Sequence, residues 1–212
     1  MRATDAAAGW PDPLLLFPLQ AVLFPGGWLH LNVFEARYLD LVSRCMRSGE
    51  PFGVVCLQRG SEAGRSAGPV ALEPVGTLAH IDDVDGEQAG ILHVRCTGGR
   101  RFRLAGKARQ QDDGLWVSSA EAVAEDDARI PGATMLQTVK ALSRAIAALR
   151  AQGTVPFAEP FALDDAGWVA NRWCELLPLP LAAKQKLMAL EDPVIRLSLV
   201  DAFLRDKQVV GP

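Results

Sequence analysis

The period of the apolar residues changes once along this chain, near residue 125. Before that point they come in short runs broken by Gly, Pro and Asp, the pattern of strands and turns. After it they recur at steps of three and four, the pattern of helices that bury one face. Strands gathered in one stretch and helices in the next make an α+β fold. The expected organisation is a β-rich part over residues 1–125 and a helical bundle over 126–212 of the 212-residue chain.

Leu14-Leu15-Leu16-Phe17 is a compact apolar run stopped by Pro18. Phe24-Pro25-Gly26-Gly27 is a turn signal, and Trp28 to Val33 follows as a second strand. Tyr38, Leu41, Val42, Cys45 and Met46 then share one face of a helix that Gly49 and Pro51 end. Phe52 to Leu57 reads as a buried strand. Asp85-Gly86 and Asp113-Gly114 are hairpin signals, because a tight two-residue turn needs positive φ at its centre. Gly98-Gly99 reads as another turn. Six or seven short, mostly antiparallel strands predict a small barrel or two packed sheets.

In the second part Met135, Val139, Leu142, Ile146 and Leu149 predict one helix. Asp164 is placed as the cap of the next, which carries Trp168, Val169 and Trp173 and ends at Pro178-Leu179-Pro180. A short helix through Lys184 to Leu190 follows. Asp192-Pro193 opens a last one, expected to bury Ile195, Leu199 and Phe203.

Composition removes several function classes. The 22 Lys and Arg against 25 Asp and Glu leave a net charge of −3, which argues against a generally DNA-coating protein. The first ten residues lack the apolar core of a signal peptide, and no apolar run nears the roughly 20 residues that span a bilayer. Cys45, Cys56, Cys96 and Cys174 form no C-x-x-C pair and read as reduced, buried thiols in a cytoplasmic protein.

Candidate chemistry is sparse. Gly64-Arg65-Ser66-Ala67-Gly68 matches the G-x-S-x-G elbow of serine hydrolases, but its flanks are loop and no later Asp and His follow in the usual order. His80 and Asp82 share a strand face without a third metal ligand. Gly106-Lys107 lacks the leading glycine of a P-loop. The expectation is a protein with no enzyme activity, no cofactor and no metal. On a strand, Arg101, Arg103, Lys107 and Arg109 would share one face, a stripe for RNA or an acidic partner, without the aromatic residues that stack bases. Trp28 and Leu29, next to a Gly-Gly turn, are candidates for an apolar peptide-binding surface.

Three blocks carry a resemblance: Leu16-Phe17-Pro18-Leu19, then Val22-Leu23-Phe24-Pro25-Gly26, then Leu29 through Phe34-Glu35-Ala36-Arg37-Tyr38. Together they resemble the N-terminal domain of the Lon ATP-dependent protease. Phe52-Gly53-Val54-Val55, Val75-Gly76-Thr77 and Arg101-Phe102-Arg103-Leu104 match later landmarks in order. Ala36 stands where the family often has proline. The resemblance implies a PUA-like pseudo-barrel followed by a helical bundle. It marks Phe24, Pro25, Gly26, Phe34, Glu35, Arg37 and Tyr38 as structural motif residues. The length looks like that of the domain alone, without ATPase or peptidase. The function it implies is binding of unfolded or client proteins, alone or beside a protease system, by a monomer or weak dimer. The apolar surface near Trp28, or a groove between the two halves, is the expected contact. RNA binding through the basic stripe and hydrolysis by Ser66 are the alternatives.

Overall fold

The computed structural model describes residues 11–60, 70–86 and 90–211. The G-x-S-x-G pattern around Ser66 lies outside the described residues. Two compact units emerge. One runs up to Val22 and resumes over Leu29–Val123; the other joins Leu23–Trp28 to everything from Ala124 onward.

The first unit is a nine-stranded sheet with one helix. Its strands are β1 (Leu14–Leu19), β2 (Trp28–Val33), β3 (Phe52–Arg59), β4 (Ala71–Leu72), β5 (Val75–Asp85), β6 (Leu92–Leu104), β7 (Arg109–Gln110), β8 (Trp116–Ser118) and β9 (Ala120–Ala122). The order is β2-β6-β5-β3-β1-β8-β7, with β4 on β3 and β9 on β6. The sheet is not a closed barrel. Strand β1 runs parallel to β3, with Leu16 opposite Gly53 and Leu19 opposite Cys56, while β1–β8, β3–β4, β3–β5, β5–β6, β6–β9 and β7–β8 are antiparallel. Helix α1 (Ala36–Ser48) buries Tyr38, Leu41, Val42 and Cys45 and ends on Gly49 at φ 74°. Met46, expected on that face, is exposed.

Two local expectations change. Pro18 lies inside β1 rather than ending it. Strand β8 pairs only Leu14 to Leu16, so at Pro18 the strand is paired on one side alone and tolerates a missing N–H. Gly98 and Gly99 lie inside β6 rather than in a turn. A Cβ on Gly99 would come within 2.5 Å of His80 Nε2, so glycine here admits a close cross-strand neighbour. The same device recurs in the core around Leu14, Leu16, Val55, Leu78 and Phe102. Gly53 and Gly76 leave room for the Phe102 ring, which a Cβ would meet at 2.8 and 2.5 Å.

The second unit holds α2 (Leu136–Ala151), preceded by a 3₁₀ turn over Ala133–Met135, then α3 (Ala166–Leu176), α4 (Leu181–Ala189) and α5 (Pro193–Asp206). Asp165, not Asp164, caps α3 by accepting from the Trp168 N–H. Asp192 caps α5 with Pro193 in its first turn, as the Asp-Pro pair predicts. The buried face of α5 differs from the expected one. It carries Arg196, Leu197, Val200 and Leu204, while Ile195 and Leu199 are about half exposed.

That face includes a buried arginine. Arg196 donates to both Asp126 carboxylate oxygens at 2.5 and 3.1 Å, to Asn171 Oδ1 at 3.1 Å, to the Leu187 carbonyl at 3.0 Å and to the Leu190 carbonyl. A guanidinium can be buried only when its charge and its donors are matched, and here they are. Leu197, Val200 and Leu204 recur at helical spacing as well as Ile195, Leu199 and Phe203, so the apolar period alone does not choose the buried face.

A second buried arginine anchors the Phe24-Pro25-Gly26-Gly27 turn. Arg172 of α3 donates to the carbonyls of Gly26 at 2.6 Å and Pro25 at 2.8 Å. Its Nε lies 3.0 Å from Glu175 Oε2, and its Nη2 donates to Glu175 Oε1 at 3.1 Å. The guanidinium also lies over the rings of Phe157 and Trp168 at 5.2 and 5.8 Å. Gly26 has φ +70°, a value that favours glycine, and a Cβ on Gly27 would fall 1.9 Å from Glu175 Oε1. The Pro-Gly-Gly sequence is therefore shaped to present carbonyls to an arginine about 146 residues away.

Candidate functional site

Where β2 runs into α1 the chain builds an apolar hollow. In β2, Leu31 and Val33 are buried, Leu29 is half-buried, and His30 and Asn32 are exposed. Phe34 follows with 58% of its surface exposed. Glu35 takes the N-cap position of α1, without a side-chain cap bond, and pairs with Arg37 at 2.9 Å. Arg37 lies 4.5 Å from the Tyr38 ring centroid, and Tyr38 stacks on Phe17 at 4.0 Å with the planes 11° apart. Four of the motif residues thus have distinct tasks. Tyr38 packs α1 on β1, Arg37 ties α1 to the Gly114 carbonyl, Glu35 neutralises Arg37, and Phe34 projects outward.

The hollow beside them is a groove of about 290 Å³. Phe17, Leu19 and Ala21 form one side; Leu29 to Val33 form the other; Phe34, Glu35 and Tyr38 close the α1 end. Its character is a water-accessible apolar trough with one carboxylate at its rim. Such a surface suits an apolar segment of another molecule rather than bond-making chemistry. Of the two expected contact residues, Leu29 lines this groove. Trp28 is half-buried and groups with the helical unit. Phe34, identified from the sequence only as a structural residue, is the more exposed aromatic.

The basic stripe does not form. Strand β6 ends at Leu104, and Arg101 is only 3% exposed. Arg103 is exposed and lies opposite Glu121 of β9. Lys107 falls in the connection after β6, and Arg109 sits on β7 at the far end of the sheet order. The two-residue period held only while a single strand was assumed through 101–109.

The other expected features are structural. Asp82 accepts from the Thr97 hydroxyl at 2.6 Å, and among the described residues no group of three metal-ligating side chains occurs. A polar hollow at the start of α1 is internally bonded. Arg37 and Gln110 both donate to the Gly114 carbonyl, and Arg44 pairs with Asp113 at 2.9 Å. All four cysteines are buried and free of disulfides. Burial pushes the Cys45 thiol up to about 11 and those of Cys96 and Cys174 up to about 12, which keeps them protonated and weakly nucleophilic. No helix among the described residues is long and apolar enough to cross a membrane.

A mixed sheet unit, a helical unit and an apolar groove on the first define an α+β chain with a candidate binding surface. The particular family follows from comparison with known proteins. The model of the ATP-dependent protease La (LON) substrate-binding domain matches residues 13–206, and the chain belongs to that family. A Lon N-terminal domain protein from Xanthomonas campestris has a similar crystal structure. It shares 34% identity over 90% of this chain and 97% of its own, at a TM-score of 0.73. The N-terminal domain of the Lon protease of the Mycobacterium avium complex shares 17% identity over 92% of this chain and 97% of its own. Its TM-score of 0.60 marks a common fold. The comparison with curated proteins gives no match.

Proposed function

We propose that this chain is a non-enzymatic module that binds unfolded or client polypeptides through the groove between β2 and β1. Its setting is protein quality control in the cytoplasm, alone or beside a protease system, as a monomer or weak dimer. Membership of a substrate-binding domain family supports binding of protein. The observation that carries the site is Phe34. It stands exposed at the end of an apolar groove, where each covered aromatic or aliphatic side chain contributes roughly 1.5–3 kcal/mol. Buried, protonated cysteines and the internally bonded polar hollow favour recognition over catalysis. The RNA reading is not carried forward, because the basic residues that motivated it do not lie on one strand and Arg101 is buried.

Placing a photo-crosslinking amino acid at Phe34 tests this. Capture of a chemically unfolded protein above the level seen with its folded form is expected. Equal capture of the two would refute the reading.

A further inference from the structure

We propose that the groove takes its ligand as an added β-strand on the open edge of β2: an extended segment with apolar side chains at alternate positions. This rests on the protein-binding reading above and names the form of the ligand.

Among the described residues, strand β2 stands at the end of the sheet order and has β6 as its single neighbour. Along an edge strand, alternate residues turn their N–H and C=O groups outward, where another backbone can pair with them. Such edges are commonly guarded by lysine, proline or a bulge. The sequence of β2, Trp-Leu-His-Leu-Asn-Val, carries no proline and no formal charge at neutral pH.

The groove lies along that edge. Side chains of a strand alternate between its faces, so a hollow on one face is lined by every second residue. Here five successive residues, Leu29 to Val33, line the hollow. Its other side comes from β1, which three strands separate from β2 in the sheet order. The groove is therefore a gap beside an unpaired edge, open to a backbone that can bond to β2 while its side chains meet Phe17, Leu19 and Phe34.

The test uses the full chain and a labelled ten-residue peptide of alternating valine and threonine with lysine at both ends. N–H groups of odd and even residues point to opposite edges of a strand, so two further peptides carry a pair of N-methyl groups at odd or at even positions. By fluorescence anisotropy, one methylated peptide should bind about tenfold or more weakly than the parent, and the other within about twofold of it. Binding should also slow amide exchange across Leu29–Val33. Equal loss, or equal retention, for both methylated peptides overturns strand addition. If binding then still weakens in Phe34→Ser, the apolar-groove reading survives alone. Failure of the parent to bind refutes both. A dimer in sedimentation that the parent peptide does not disperse would assign the edge to a second copy and overturn the proposal.

Discussion

Replacing Arg172 by methionine tests whether the Pro25–Gly27 turn depends on a distant helix. Methionine keeps much of the volume and removes the charge and all donors. The carbonyls of Pro25 and Gly26 then lose bonds of 2.8 and 2.6 Å, and Glu175 loses its cation and one hydrogen bond. Removing one partner of a buried ion pair costs about 3–5 kcal/mol, mostly because the other charge stays buried and unmatched. For a chain of this size each kcal/mol lowers Tm by about 2–4 °C, so a fall of roughly 6–20 °C is expected. Thermal and urea unfolding, followed by the tryptophan near-UV signal, measure it. Arg150→Met is the control. Arg150 pairs with Glu159 with both side chains at least half exposed, and such pairs contribute less than about 1 kcal/mol. Arg172→Met combined with Glu175→Gln should recover part of the loss, because no charge is then stranded. A loss for Arg172→Met no larger than for Arg150→Met would refute the reasoning.

Burial raises the Glu175 carboxyl to about 7, with Arg172 and Lys184 opposing the rise. The folded chain then holds a proton between about pH 4.5 and 7 that the unfolded chain releases, so this group's contribution to stability falls as pH rises through that window. Glu175→Gln should flatten that slope in urea unfolding between pH 4.5 and 7.5. Gly76→Ala should destabilise by about 1–3 kcal/mol, since its Cβ would meet the Val54 carbonyl at 2.4 Å and Phe102 at 2.5 Å; the urea midpoint reads it. Phe34→Ser should leave Tm within about 2 °C, because the side chain is largely exposed, while weakening capture of unfolded protein severalfold in the crosslinking assay.

Much of the architecture was legible because local chemistry and tertiary structure agree. The Asp192-Pro193 start of α5, the Gly49 end of α1, the positive φ at Gly114 and the order of strands before helices all follow from short-range backbone preferences. The L-F-P-L, F-P-G and F-E-x-R-Y blocks carried the family. Leu29, singled out as an apolar residue beside a Gly-Gly turn, lines the candidate groove. The motif marked Phe34 without showing which way it faces, and the structure leaves it largely exposed.

What the sequence determined by itself is therefore local: where the chain turns, where the period changes, which helix begins at which cap. Tertiary structure alone decided three things. It placed Arg196 and Arg172 inside the helical unit, where distant carbonyls and carboxylates offset the cost of burying charge. It kept β6 intact through Gly98-Gly99, since the need for space beside His80 is invisible along the chain. And it left β2 at the end of the sheet with a groove at its side. Period and propensity act over a few residues, whereas the partner of a buried charge and the free edge of a sheet depend on which distant segments meet.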